Sequence, residues 1–391
     1  MRTVEAHRGA VLTTVEALGP GVPVEVALQH ASGLVLGADV RSRTDVPPFD
    51  NSAMDGYAVR VNDVIGATRS SPISLRVIAD LPAGSRAEPL VLPGTCARIM
   101  AGAPFPRSGE AVVPVEETDG GAERVAIYSP TERGAFIRRA AEDVRTYGRV
   151  MTRGRVLGPA DIAAAAATGH GAVMAYPRPK VVVISTGSEL VPPGPTRPMP
   201  RGMIPDSNSY LLAAAVDEAG GDAVRFDVVT DDSTRFGLAL DAALADRAVV
   251  AIVTSGGISV GAYDVVRDHL TERFDWASEP TASRAELDAG LPLLRPRGTF
   301  SAVAMQPGRP QGFGLIPRGG REQTLVPVFA LPGNPVSVFV SFELFVRPAL
   351  QVLRGLTASA GERRLVQARA TATWRAAGAR RQYIPVIAGH G

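Results

Sequence analysis

From Pro177 onward the chain repeats one pattern: a short apolar run, a polar loop containing Gly, Ser or Asp, then a helical stretch. Val181–Ile184 runs into Ser185–Leu190. A helix is expected from about Asn208 to Glu218, and Gly220-Gly221 leads into a strand at Ala223–Val229. Asp231-Asp232-Ser233 opens a second helix that runs to about Asp246. Ala248–Val253 closes in Thr254–Gly261, with a further helix beginning near Asp264. Leu325–Ala330 then passes through Leu331–Pro335 into a long apolar helix, Val336–Leu353. Strand, polar loop and helix in repetition predict a doubly wound, mostly parallel sheet with helices on both faces. The 391 residues exceed one ordinary domain, so this unit is one of about two to four.

Upstream, Thr3–Leu18 sets Val4, Val11, Val15 and Leu18 on one helical face, and Gly19-Pro20-Gly21 ends it. A short strand, Pro23–Ala27, and a second helical stretch through Leu34–Leu36 are expected next. Pro47–Gly56 fits neither period and reads as an ordered loop, because Phe49, Met54 and Tyr57 are costly residues for a linker. Positioned loops of this kind often carry function; the alternative is a turn between two strands. Ile73–Ala79, Arg98–Met100, Ala111–Val115 and Arg124–Tyr128 form a small β-rich unit, followed by an alanine-rich helix over Pro159–Thr168. After Gly361 a β-like stretch, Leu365–Trp374, begins a further domain that reads as cut short at Gly391, since roughly thirty residues cannot bury a sizeable core alone.

Composition narrows the function classes. A net charge of +2 points to no nucleic-acid surface, and the basic residues are nearly all Arg, with one Lys at 180. The single Cys96 excludes an internal disulfide framework and a Cys-based zinc site, and the five histidines form no metal-type pair. Met1–Gly19 is not a signal peptide, and no apolar run reaches the roughly 18 residues of a membrane span, so a cytoplasmic protein is expected.

Ligands of doubly wound sheets bind beyond the carboxyl ends of the strands. Four loops fall there: Ser185–Leu190, Thr230–Ser233, Thr254–Gly261 and Leu331–Pro335. In the third, Thr-Ser-Gly-Gly-Ile-Ser-Val-Gly joins a strand to a helix, and its glycines admit a ligand close to backbone amides. A phosphate site and a tight strand–helix turn are both open. Glu189, Asp206, Asp231, Asp232 and Asp264 punctuate the same edge; each alone could be a cap or a solvated acid. Acids beside phosphate require an intervening cation, which favours Mg²⁺. Asp55 and Glu142-Asp143 lie outside this unit, with Arg138-Arg139 suited either to an oxyanion or to a surface charge cluster.

These residues together resemble the molybdopterin molybdenumtransferase family (MoeA-type enzymes and the gephyrin E domain). The matching motifs are MDGYAVR in the opening loop, RIM-x-GAP at Arg98–Pro104 and IRR-x-x-ED at Ile137–Asp143. STGSEL, SGGISVG with Asp264 following, and LPGNPVS complete a set covering about residues 1–355. The resemblance implies a molybdopterin-binding, MogA-like α/β domain at 177–358. It also implies a linker and dimerisation domain from 1–45 plus 140–176, an inserted lid at 46–139 and an incomplete C-terminal β domain at 359–391. It implies that adenylylated molybdopterin and molybdate are substrates, that Mg²⁺ assists pyrophosphate cleavage with release of AMP, and that each site lies between subunits of a homodimer. Contact with a molybdopterin adenylyltransferase is a further implied partnership.

By the same resemblance Asp55, Asp143, Glu189, Asp231 and Asp264 are the reaction's acids, with Glu189, Asp231 and Asp264 on the metal. Ser185, Thr186, Gly187, Ser255, Gly256, Gly257, Ser259, Gln306, Arg309, Pro332, Gly333, Asn334, Pro335 and Arg138 would contact the pterin, its phosphates or the oxyanion. Four positions depart from the family: Ala101 replaces a common Thr, Gln306 and Arg309 replace two common lysines with only Arg309 keeping the charge, and Pro385 replaces an Arg found in some relatives. The alternatives are a non-catalytic molybdopterin-binding or scaffold paralogue, and a different nucleotide- or pterin-phosphate enzyme on the same α/β domain.

Overall fold

The structure, a computed structural model, describes residues 1–194, 199–259, 264–278, 298–319, 324–361, 363, 366–373 and 378–387. Helix α1 covers Val4–Leu18, and Thr3 caps it by accepting from the Ala6 amide. The expected second helix does not form. Leu28–His30 is a single 3₁₀ turn, and Val35–Leu36 is a strand paired with Ala172–Tyr176, which also pairs Val24–Ala27. Gly33 at φ 77° breaks any helix there, and pairing buries both Val35 and Leu36. Helix α2 is Pro159–Ala167.

The β-rich unit is a five-stranded sheet in the order Ala111–Pro114, Gly56–Val59, Thr95–Ile99, Ile73–Leu81, Arg124–Ile127. Tyr57 and Val59 pack into one core with Cys96 and Val113, whereas Ala58 packs into another with Leu81 and Ile99. The opening loop therefore ends in a central strand whose two faces are both buried.

The α/β unit holds a seven-stranded sheet. Asp222–Arg225, Lys180–Ser185, Val249–Ser255 and Leu325–Leu331 are parallel neighbours in that order; Pro310–Pro317 and Gly298–Ala302 extend it antiparallel, and Ala277–Ser278 closes the edge. Period-2 geometry distributes the apolar runs. Val181, Val183, Ala251 and Val253 face one core with Leu212 of α3 (Asn208–Glu218). Val182, Ile184 and Ile252 face the other, with Phe236 of α4 (Ser233–Ala245) and Leu270 of α5 (Val265–Phe274).

Helix α6, Pro335–Leu353, contains a π-helical turn at Phe342–Val346 and supplies Val338, Phe342 and Val346 to the first core. It corrects one expectation: at 19 residues and mean hydropathy 1.5 it is long and apolar enough to cross a membrane. It is 72% buried inside the fold, as a core helix is.

Both ends of the chain meet the segment before Arg309. Arg2 forms a parallel bridge with Val303, and Arg381–Gln382 pairs in parallel with Met305–Gln306. The expected strand at Leu365–Trp374 has Leu365 and Trp374 outside the described residues, and 366–373 form no strand.

His7 of α1 is buried edge-on against Phe345, 4.7 Å between ring centroids, with Nδ1 unpartnered. Burial, then Arg2, lowers its pKa to about 4. Because this lies below the unfolded value, the unfolded chain binds the extra proton. The stabilisation is complete above about pH 6.5 and is lost as pH falls towards 4, by about 3 kcal/mol. Urea midpoints measured from pH 7 to 4 are expected to fall less steeply in His7→Leu than in the wild type; parallel curves would refute this assignment.

Candidate active site

The carboxyl ends of Lys180–Ser185, Val249–Ser255 and Leu325–Leu331 meet at one edge, and their following loops are bonded to one another. Thr186 N donates to Ser255 O at 2.9 Å, Gly187 N to Val229 O at 3.1 Å, and Gly256 N to Leu331 O at 3.1 Å. Gly256 has φ 92°, and a Cβ there would lie 2.4 Å from the Thr186 carbonyl oxygen. Gly333 faces it, 3.6 Å from where its own Cβ would be to the Gly256 Cα. Ser255–Ser259 and Leu331–Pro335 are thus adjacent loops at this edge. The tight-turn reading and the phosphate reading use the same glycines; what distinguishes this turn is that it faces a cleft.

That cleft, about 300 Å³, lies beside Ser259 and is lined by Arg267, Phe300, Arg309 and Gln311 among others. Arg267 Nη1 donates to the Ser259 carbonyl at 3.2 Å, and its guanidinium lies 5.4 Å from the Phe300 ring centroid. Two cations beside glycine-rich backbone suit an anion. Arg267 went unnoticed in the sequence, although three residues after Asp264 it falls one helical turn on, on the same side of α5. Asn208 was missed as well: its Nδ2 donates to Gly333 O at 2.7 Å and ties α3 to the proline-rich loop.

Several expected site residues have other employment. Ser185 and Ser255 are buried and share a hydrogen bond of 3.2 Å. Asn334 caps α6, accepting from Val336 N and Ser337 N, with Pro335 at the helix start. Gln306 is exposed and bonds through its backbone to the 381–383 segment.

The acids do not converge as a three-carboxylate metal site. Asp231 Oδ2 accepts from Ser188 N at 2.9 Å, and Asp264 Oδ1 accepts from Ser259 N at 2.8 Å. The Glu189 carboxylate folds back over Gly187, within 2.9 Å of where a Cβ on that glycine would sit. Among the described residues no three His, Cys, Asp or Glu side chains come together to hold an ion. The reason is local: Asp231 and Asp264 are each taken up by a loop amide, Asp231 by that of the neighbouring 185–190 loop and Asp264 by that of its own. The donor set fits an ion completed by substrate phosphate oxygens, as Mg²⁺ favours, and does not fit an all-protein cage.

Asp55, Asp143 and Arg138 lie outside the α/β unit. Asp55 Oδ1 accepts from Ala101 N at 2.7 Å, so the position where Thr is common still contributes through its backbone. Arg138 pairs with Asp143 at 2.6 Å, and Arg139 with Asp50 at 2.6 Å. The Ala140 amide, with Arg139, holds the Asp50 carboxyl below its ordinary range. The two arginines expected to meet an oxyanion are thus already matched with acids.

A mostly parallel sheet with glycine-rich loops at its carboxyl edge, beside a separate β-rich sheet, defines a multidomain α/β protein with a candidate anion site. Consistent with that class, residues 2–169 match the MoeA N-terminal region (domain I and II), and residues 182–352 match a probable molybdopterin binding domain. Molybdopterin molybdenumtransferase 2 of Mycobacterium tuberculosis is 44% identical over 91% of this chain and 80% of its own length. The molybdopterin molybdenumtransferase of a Nostoc species is 36% identical over 85% and 69%. A molybdopterin biosynthesis MoeA protein from Pyrococcus horikoshii superimposes with a TM-score of 0.68 at 30% identity, covering 90% of this chain and 80% of that one. The chain belongs to the molybdopterin molybdenumtransferase family, transferases of molybdenum-cofactor biosynthesis.

Proposed function

We propose that this chain inserts molybdenum from molybdate into adenylylated molybdopterin, releasing AMP, at a site shared between two subunits of a homodimer. The observation that carries the reading is the coupling of Gly256 to Thr186 and Leu331 at the sheet edge, in the same loop whose Ser259 lines a cleft with Arg267 and Arg309. In this reading Ser259 and Gly257 take the terminal pterin phosphate, and Arg309 and Arg267 neutralise charge on oxyanions entering the cleft. Asp231, Glu189 and Asp264 would hold Mg²⁺ together with substrate phosphates; when bound, it would offset charge on the departing phosphate. Asp55 in the lid, and Asp143 just beyond it in the dimerisation unit, belong to the opposite subunit, where the ion pair with Arg138 orients Asp143. We assign 1–45 with 140–176 to dimerisation, 46–139 to the lid, 177–358 to pterin binding and 359–391 to a further β unit. A molybdopterin adenylyltransferase is the natural supplier of the substrate.

The test is AMP release and cofactor formation from adenylylated molybdopterin plus molybdate. Chelating divalent ions is expected to stop AMP release while pterin remains bound. Pterin binding without turnover under complete conditions would sink the enzyme reading and leave a binding protein.

A further inference from the structure

One contact lies outside the residues used so far. Helices α4 and α5 meet along a seam of positions four residues apart. Ser233 Oγ and His269 Nδ1 exchange a hydrogen bond of 3.1 Å, and Asp241 pairs with Arg273 at 2.6 Å. Between them sits Gly237, where a Cβ would lie 2.6 Å from His269 Cε1. A glycine inside a helix costs about 1 kcal/mol relative to alanine, and here it makes room for the imidazole. Phe236 meets the same ring edge-on, 5.4 Å between centroids at 84°. Nε2 is buried without a partner, and burial, ahead of the charge of Arg273, lowers the pKa of His269, so the ring stays neutral at pH 7.

This contact joins two acid-bearing loops. On one side, Asp232 caps α4 by accepting from Arg235 N at 2.9 Å, directly before Ser233, and Asp231 holds the Ser188 amide. On the other, α5 begins after Asp264, whose Oδ1 accepts from Ser259 of the phosphate loop. An unbroken path therefore runs from Ser188 through Asp231, Ser233 and His269 to Asp264 and Ser259. The Asp241–Arg273 pair, the other polar side-chain contact between α4 and α5 described above, is exposed and two turns further along α4, where a surface ion pair constrains little.

We infer that His269, through Ser233, is a positioning residue that sets the spacing between the Asp231 loop and the helix carrying Asp264, and so governs the rate of AMP release more than the affinity for pterin. This rests on the proposed assignment of those acids to the reaction. Misplacing reacting groups costs rate steeply, while the Ser255–Gly256 end of the phosphate loop is held by Leu331 and Thr186, apart from the Ser259 end that this path reaches.

The test compares Ser233→Ala, His269→Phe, His269→Asn and wild type in the full chain. AMP release is read against adenylylated molybdopterin concentration, with thermal unfolding and amide exchange of residues 230–235 measured in parallel. In His269→Phe and Ser233→Ala, kcat is expected to fall about tenfold with KM within about twofold of wild type, and the 230–235 amides to exchange faster. His269→Asn, which returns a polar group near the Nδ1 position, should recover most of the loss. Unchanged kcat and unchanged exchange in both variants would overturn the inference, as would a loss that merely tracks the unfolded fraction. Absence of AMP release from the wild type would instead refute the proposed reaction, and amide exchange would still decide the positioning claim.

Discussion

Subunits carrying Asp55→Ala and subunits carrying Asp264→Ala are each expected to be inactive, and a one-to-one mixture reassembled into dimers should regain about a quarter of wild-type AMP release. The fraction follows from two-fold symmetry: half the dimers are mixed, and each mixed dimer has one intact site and one doubly broken site. The geometry motivates the experiment. Asp55 is anchored inside the lid by the Ala101 amide, whereas Asp264 is buried at the edge of the α/β sheet against Ser259. Around Asp55 the apolar side chains of Phe49, Met54 and Phe136 are exposed together, with Ala53 N donating to Phe136 O. An ordered loop that presents aromatic and Met surface is suited to burial against another protein surface. Failure of every mixing ratio to restore activity would end the shared-site reading.

Gly256→Ala is expected to weaken binding of adenylylated molybdopterin about 100-fold, or about 3 kcal/mol. At φ 92° a side chain is already strained, and the added Cβ would sit 2.4 Å from the Thr186 carbonyl and 2.9 Å from its Oγ1. Neither atom can retreat cheaply. Thr186 N is bonded to Ser255 O, and Gly256 N to Leu331 O, so relief at one loop displaces the ends of two neighbouring strands. Calorimetric titration with the pterin checks the loss, and circular dichroism checks that the variant is folded. Affinity within threefold of wild type in a folded variant would remove Ser255–Ser259 from the binding site.

The α/β unit was legible because its strands are apolar on both faces and its loops are not. The alternation of Val181 and Val183 against Val182 and Ile184 between two cores is what such a run requires. Val35–Leu36 was misread because a buried pair of aliphatic residues fits helix and strand equally; its partner at Ala172–Tyr176 is far away in sequence. The site was legible as loops but not as contacts. Charge order along the chain cannot show that Arg138 pairs with Asp143, that Arg139 pairs with Asp50, or that Asp231 is spent on the Ser188 amide. For the same reason the backbone bonds that occupy Asp231 and Asp264 appeared only in three dimensions.

The bridge between Arg2 and Val303, with the pairing of 381–382 on 305–306, also bears on how the molecule folds. The stretch bearing Gln306 and Arg309 is flanked by a neighbour about three hundred residues upstream and another some seventy-five residues downstream. Closing loops of such unequal length carries an entropic penalty that grows only slowly with length, but it delays the contact until both ends are present. During synthesis the phosphate loop can form first, and the cationic wall beside it is the part of the cleft completed last.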